Sequence, residues 1–256
     1  MRPSQHLSTT IQTAICALIA AFCTAPASAS DFYLSANLGI SGGKGASGGN
    51  TQFFSNSGSD TDSSPVYGGT LGWEVGLDEI VALMPTGTEH KFRRWALRSE
   101  IEGAAGRDYE LITMGAEPYV SVVSSWSVMV NQWFDVPIHP PIARLFGRVP
   151  LLEPLTFYVG AGVGLGALDV TSSDNVSFGR EKSYDFAWQA GTGFNYELTP
   201  RVSLGFGYRY HDLGEIDVPL QLGPTPFGNL NLDLEAHEIA TSLRIRFWSV
   251  SLRGER

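Results

Sequence analysis

Beyond residue 29 this 256-residue sequence has no cysteine, no long apolar run and a shortage of positive charge. Each shortage closes off a class of function. Without thiols there is no disulfide framework, no Cys-ligated zinc and no thiol nucleophile. A helical membrane span needs about 20 apolar residues in a row, so any crossing must be made by strands. From residue 30 onward, 16 Lys and Arg stand against 26 Asp and Glu. That balance disfavours nucleic acid as a partner, because neutralising phosphates needs a basic surface.

The two cysteines, Cys16 and Cys23, belong to a segment of a different kind. Arg2 gives it a positive start, residues 11–22 form a brief apolar run, and Ala27-Ser28-Ala29 is a small-x-small cleavage site. Residues 1–29 therefore read as a secretory signal peptide. Ile15 and Phe22 precede the cysteines where a lipoprotein signal needs a small residue. The remaining 227 residues suit one domain.

What is present is alternation. From Tyr184 to Glu197 one face reads Tyr184, Phe186, Trp188, Ala190, Thr192, Phe194, Tyr196, and the other Asp185, Ala187, Gln189, Gly191, Gly193, Asn195, Glu197. A period of two is an extended strand with one apolar face. Aromatics at both ends of that face are the pattern of a strand crossing a bilayer between two interfacial girdles. Seven further segments repeat it: 32–41, 71–77, 95–101, 120–134, 155–167, 202–210 and 239–247. The 45 apolar-face positions hold no charge and no glycine, while the opposite faces, continued one residue to Glu102 and Glu238, hold ten charges.

Size decides which face points inward. An eight-stranded barrel has an interior that side chains just fill, with no room for Trp73, Trp95, Trp126, Trp188 and the Phe and Tyr that share their face. Gly160, Gly162, Gly164 and Gly166 suit the interior, where they leave space for long Arg and Glu side chains. The apolar face therefore meets lipid, and the fold class is all-β: an eight-stranded antiparallel up-and-down transmembrane β-barrel over residues 30–247, with a short periplasmic extension at 248–256. The expected girdle residues are Trp73, Trp95, Tyr184, Trp188, Tyr196, Tyr208, Tyr210 and Phe247. An even strand count puts both termini in the periplasm. Residues 42–67, 103–118, 168–183 and 212–237 then become four extracellular loops, the first of low complexity and mobile. These four segments carry 13 acidic and 4 basic residues, against 6 and 8 in the other connections and the tail.

With those strands placed, the chain resembles the small OmpA-like and Opa-like outer-membrane barrels grouped as porin-family surface antigens. The resemblance rests on Phe32-Tyr-Leu-Ser-Ala-Asn-Leu-Gly, Leu155-Thr-Phe-Tyr-Val-Gly-Ala-Gly-Val-Gly-Leu-Gly, Gly205-Phe-Gly-Tyr-Arg-Tyr and Glu238 to Phe247. It implies the outer membrane of a Gram-negative cell, insertion by the barrel-assembly machinery, and contact with outer-membrane lipids and lipopolysaccharide. Two departures stand out. Such barrels end on an aromatic residue, whereas nine residues follow Phe247 here. Connections 78–94 and 135–154 are also long for periplasmic turns, and Ile142, Leu145, Phe146 and Val149 in the second have helical spacing.

Three features are candidates for function. Interior charges Glu74, Arg98, Glu100, Glu102, Arg209, Glu238, Arg244 and Arg246 form either a polar path or an acid–base plug, and the plug is favoured because charges away from water must pair. His211 and His237, near the outer rim with Asp212, Glu235 and Glu238, invite comparison with a metal site or with the lipid A deacylase barrels. Ser203 shares a face with His211 but lies eight residues away, about 27 Å along a strand, and no catalytic residue, metal ligand or cofactor site is assigned. The acidic loops are either ordinary solvated surface or holders of divalent cations that bridge to lipopolysaccharide. The reading that follows is a monomeric barrel with a structural and surface-interaction role, binding an extracellular ligand through its loops. A narrow porin for small solutes is the alternative, and a lipid A-modifying enzyme comes after it.

Overall fold

The computed structural model describes residues 30–51, 55–77, 95–113, 118–138, 149–174 and 176–250. The expected signal peptide, connection 78–94 and residues Ile142, Leu145 and Phe146 lie outside them. Eight strands run in chain order: β1 (Ser30–Thr51), β2 (Ser55–Gly76), β3 (Ala96–Thr113), β4 (Tyr119–Pro137), β5 (Leu155–Ser173), β6 (Phe178–Thr199), β7 (Val202–Leu222) and β8 (Thr225–Val250). Each pairs antiparallel with its neighbours, and β8 returns to β1 to close the barrel. A 3-10 turn, Pro150–Leu152, precedes β5.

The phase read from the sequence holds. Along β4 the burial alternates without a break from Tyr119 to Met129, with Val120, Val122, Trp126 and Val128 outward. Leu38, Ile40, Phe206 and Ile239 are likewise exposed on the outer wall, as a lipid-facing surface requires. Inside, Trp133 is a finding of its own. It is buried on the lumen side, so the barrel does hold one indole, and it fits because Gly160 on the neighbouring strand has no side chain.

The loops need correction. Segments 42–67, 103–118, 168–183 and 212–237 are mostly strand, and the supposedly mobile first loop continues the β1–β2 ladder from Ser41↔Ser64 to Asn50↔Ser55. The strands are 18 to 26 residues long, well beyond the roughly 10 that a bilayer crossing needs. Gly, Ser and Asp had suggested loop, but here ladder hydrogen bonds and a second core override local preference. β8 likewise continues to Val250, past the expected boundary at Phe247.

The long strands build a head at the end opposite the termini, and there the wall divides. The β2–β3 ladder stops at Tyr67↔Ala105. On the far side of the ring, β6 and β7 have no ladder pairs between Phe178↔Gln221 and Trp188↔Asp212. Two interruptions four strands apart leave β7-β8-β1-β2 and β3-β4-β5-β6 as separate leaves. A glycine with positive φ stands beside each: Gly106 (φ 91) on β3 and Gly214 (φ 91) on β7, both at register shifts. That conformation is open to glycine without strain, and such bulges re-aim a strand.

The leaves pack face to face over an apolar core. Leu213, Ile216, Val218 and Leu220 of β7 and Leu230, Leu232, Leu234 and Ala236 of β8 meet Tyr109, Leu111, Tyr119, Val123, Leu168 and Val170. Gly43 and Gly45 of β1 clear room for the Tyr109 ring and the Leu111 side chain.

The two seams are finished differently. At β2/β3, side chains replace the missing backbone bonds. Asp60 accepts the amides of Thr61 (2.8 Å) and Ile112 (2.8 Å), and Asp62 those of Ser63 (2.7 Å) and Glu110 (2.9 Å). Ser64 Oγ takes the Asp108 amide at 3.0 Å. At β6/β7, Glu181 and Asp185 accept only the next amide on their own strand, Lys182 and Phe186.

Candidate functional site

The barrel interior below the head is a stack of ion pairs. At the end holding the termini, Arg246 reaches Glu74 (3.3 Å) and Glu197 (3.0 Å), with Arg244 3.8 Å from Glu74. Higher up, Arg98 bonds Asp135 at 2.5 Å and Glu100 at 2.6 Å. Glu100 also accepts Tyr33 Oη (2.5 Å) and Trp133 Nε1 (2.8 Å). Arg209 pairs with Glu102, whose other oxygen takes Asn131 Nδ2 at 2.8 Å. At the top, Arg107 Nε meets Glu238 Oε1 at 2.5 Å. Rings cover the cations: Arg244 lies 4.6 Å from the Tyr33 centroid, Arg98 5.1 Å from Tyr158 and Arg209 5.5 Å from Trp133.

The structure thus brings together all eight interior charges expected from the sequence. It adds Arg107, Asp135, Tyr33, Asn131, Trp133 and Tyr158. Arg107 falls within the expected loop 103–118 but is completely buried. The signal was available in the inward alternation of Arg107, Tyr109 and Leu111, one bulge beyond Glu102. All eight expected girdle residues occupy outward positions, among them Tyr184, Trp188, Tyr208 and Phe247, which are well exposed. Trp188 Nε1 donates to Asp212 at 3.0 Å, and Tyr210 packs against both Trp188 and His237.

The histidine pair is not assembled. His211 faces the lumen and is buried, its Nε2 2.9 Å from Glu238 Oε2 at an angle outside hydrogen-bond geometry. His237 faces outward, stacks on Tyr208 and shares a 2.6 Å hydrogen bond with its hydroxyl. Adjacent strand rows carry them, but the wall lies between. Rim exposure of His211 is therefore corrected to burial. Ser203 sits opposite Arg244, far down the same strand.

Free space is uneven. A polar cavity of about 570 Å³ opens at the terminal end, bordered by Glu74, Asp135, Asn195, Glu197, Arg244 and Arg246. Above it, a void among Asn37, Glu100, Trp133, Tyr158 and Arg209 measures only about 10 Å³, room for about one water.

Residues 14–247 match the outer membrane protein beta-barrel domain family. The chain belongs to that family. Its place is the cell outer membrane, and in barrels of this architecture the end that holds the termini, here the end with the cavity, is the periplasmic one. Outer membrane protein PagN of Salmonella typhimurium is 27% identical over 130 residues, 47% of this chain and 48% of PagN. The match thus spans about half the length of that relative. Among solved structures, Neisserial surface protein A is 15% identical at a TM-score of 0.42, covering 84% of this chain and 97% of that one. OprG of Pseudomonas aeruginosa is 11% identical at a TM-score of 0.47, covering 86% and 98%.

Proposed function

We propose that this protein is a non-conducting surface-interaction barrel, working through its head and without a chemical step. The observation that carries the reading is that the lumen is closed twice. An ion-pair stack crosses the membrane section, where the void among Glu100, Trp133 and Arg209 has room for about one water, and an apolar core fills the head above it. Ions crossing a membrane by a pore need continuous water or polar ligands, and the core of Leu213, Val218, Leu232 and Leu234 offers neither. The lumen carboxylates Glu74, Glu100, Glu102, Asp135 and Glu238 each pair with an arginine, which favours a structural over a chemical role for them. What remains accessible is the outer surface of the head. In this reading the monomer sits among outer-membrane lipids and lipopolysaccharide after insertion by the assembly machinery, and meets an extracellular ligand beyond them.

Single-channel recording in planar bilayers tests this directly. The refolded protein is expected to give no stable conductance steps, and Arg209→Ala alone is expected to leave the bilayer silent, because the head core still closes the lumen. Discrete, reproducible openings of the wild-type protein would instead identify a pore.

A further inference from the structure

The head presents one face whose negative charges outnumber the positive ones the chain sets beside them. On β7 and β8 the outward residues are Asp212, Glu215, Asp217, Asp233 and Glu235, with Glu215, Asp217 and Asp233 exposed. Across the ladder Glu215 faces Asp233 and Asp212 faces Glu235, and like charges directly opposite destabilise a sheet. A single Lys or Arg, Lys44, occurs among residues 42–51 and 212–237, across the ladder from Glu235, and no Lys or Arg stands across the ladder from Asp212, Glu215, Asp217 or Asp233. Asn231 Nδ2 donates to Asp217 at 3.0 Å and also to Glu215, so a neutral amide holds these two carboxylates together where a cation is absent. Partial burial, then the charges of Asp212, Glu235 and Glu215, raise the Asp233 carboxyl above its ordinary value.

The same hairpin ends in exposed apolar side chains. Leu222 is 41% exposed, and beside it on the β5–β6 tip stand Phe178 at 54% and Val176 at 65%. Phe178 pairs with Gln221, next to Leu222. Hydrogen bonds tie Val176 and Ser177 to their surroundings. Asp174 Oδ1 accepts the amides of Val176 (2.9 Å) and Ser177 (2.5 Å), and Ser177 Oγ lies 3.0 Å from Tyr119 Oη. An apolar group fixed in water on a rigid turn binds a partner at little ordering cost.

We propose that the outer face of the β7–β8 hairpin, with the apolar tip formed by Phe178, Val176 and Leu222, docks a cationic polypeptide that carries an apolar anchor. The charge of the face selects the occupant. A sulfated or phosphorylated polymer would be repelled along its whole length, whereas a Lys- or Arg-rich segment gains at every carboxylate. From Asp212 to Leu222 the strand extends about 33 Å, so roughly ten extended residues span stripe and anchor. A divalent cation is the weaker occupant, since the described residues contain no group of three Asp, Glu or His placed to hold one. The proposal rests on the head being the working surface and names the chemistry of its partner.

The test uses the full chain in zwitterionic lipid nanodiscs, with empty nanodiscs as blank. One probe is a peptide of alternating Lys and Ser ending in Leu-Leu, and a second is the same peptide ending in Ser-Ser. The Leu-Leu peptide is expected to bind at least fivefold more tightly. Phe178→Ser with Leu222→Ser should erase that difference, and Glu215→Gln, Asp217→Asn and Asp233→Asn together should weaken both peptides at least tenfold. All five positions are exposed or rim residues, and unchanged heat-modified migration of the barrel confirms that the variants fold. Equal binding of the two peptides, indifference to the charge variants, or binding abolished by EDTA and restored by Ca²⁺ would each overturn the proposal. A silent bilayer alongside any of these results would leave the non-conducting reading standing and remove only the cationic partner.

Discussion

Replacing Arg107 by Met should strongly destabilise the barrel. The guanidinium is wholly buried, with Nε 2.5 Å from Glu238 Oε1 and Nη1 3.1 Å from Ser127 Oγ. Methionine keeps much of the volume and removes the charge, so the loss is electrostatic rather than a cavity. Glu238, itself buried, then keeps only the poorly aligned His211. Breaking a buried pair from one side costs about 3–5 kcal/mol, because the surviving charge stays desolvated. A Coulomb estimate at an effective dielectric near 20 gives about 4 kcal/mol for charges about 4 Å apart, the same range. Urea unfolding of the barrel refolded into lipid vesicles, followed by tryptophan fluorescence, measures the change. The second half of the experiment is Glu238→Leu on the Arg107→Met background. Replacing both partners by apolar groups is often neutral, so the double variant should recover to within about 2 kcal/mol of wild type, a coupling that the cycle isolates. A single variant within 1 kcal/mol of wild type, or a double variant less stable than both singles, would refute the view of this pair as one closed unit.

Three further outcomes follow from the head. Gly214→Ala, forced into positive φ with its Cβ 2.9 Å from Asp185 Cβ, should cost about 1–2 kcal/mol in the same unfolding assay, whereas Gly103→Ala, where a Cβ meets nothing within 4 Å, should change little. Leu232→Ala, in the middle of the head core, should cost about 2–5 kcal/mol and raise amide exchange in the head while leaving Glu100 and Glu102 protected. The amides of Glu110 and Ser63 hold the Asp62 carboxyl below its ordinary value of 3.8. Its contribution is therefore complete above about pH 4 and is lost as the pH falls through the lowered value. Exchange at Glu110, corrected for its intrinsic pH dependence, should rise at low pH and in Asp62→Ala at neutral pH, and identical protection in both would refute the staple.

How much of this was legible depends on which force sets each feature. Membrane strands are written in alternation because lipid admits no polar face, so Val120, Trp126 and Val128 declared their direction. The interior charges Arg98, Glu100 and Glu102 were visible for the same reason. The head was not, because its strands carry Ser, Gly and Asp on a solvated outer face and draw their order from pairing across the ring. Residues 55–66 have almost no apolar periodicity, yet the β1–β2 ladder runs through them. The apolar inward series Leu230, Leu232, Leu234 and Ala236 was present in what had been read as a loop. It points to a core only once Tyr109, Leu111, Tyr119, Val123, Leu168 and Val170 of the other leaf are known to sit opposite. His211 was misplaced because a residue at the end of a predicted strand looks like rim until that strand is found to continue for 11 more residues, to Leu222.

The divided head also has a mechanical consequence. Below Gly106 and Gly214 every strand is bonded on both sides, so that section is a stiff ring. Above them the leaves share one bound edge, the carboxylate-stitched β2/β3 side, and at β6/β7 an edge left unpaired between Trp188↔Asp212 and the single tip pair Phe178↔Gln221, like a book with a spine and one clasp. Tension applied at Phe178 and Leu222 falls first on the one tip pair, Phe178↔Gln221, and then peels the unpaired edge below it, one side-chain contact after another. Tension on the Asp60 and Asp62 side must shear several hydrogen bonds together. The head should therefore yield at low force in one direction and resist in the other, and the side that yields is the side that carries the apolar tip.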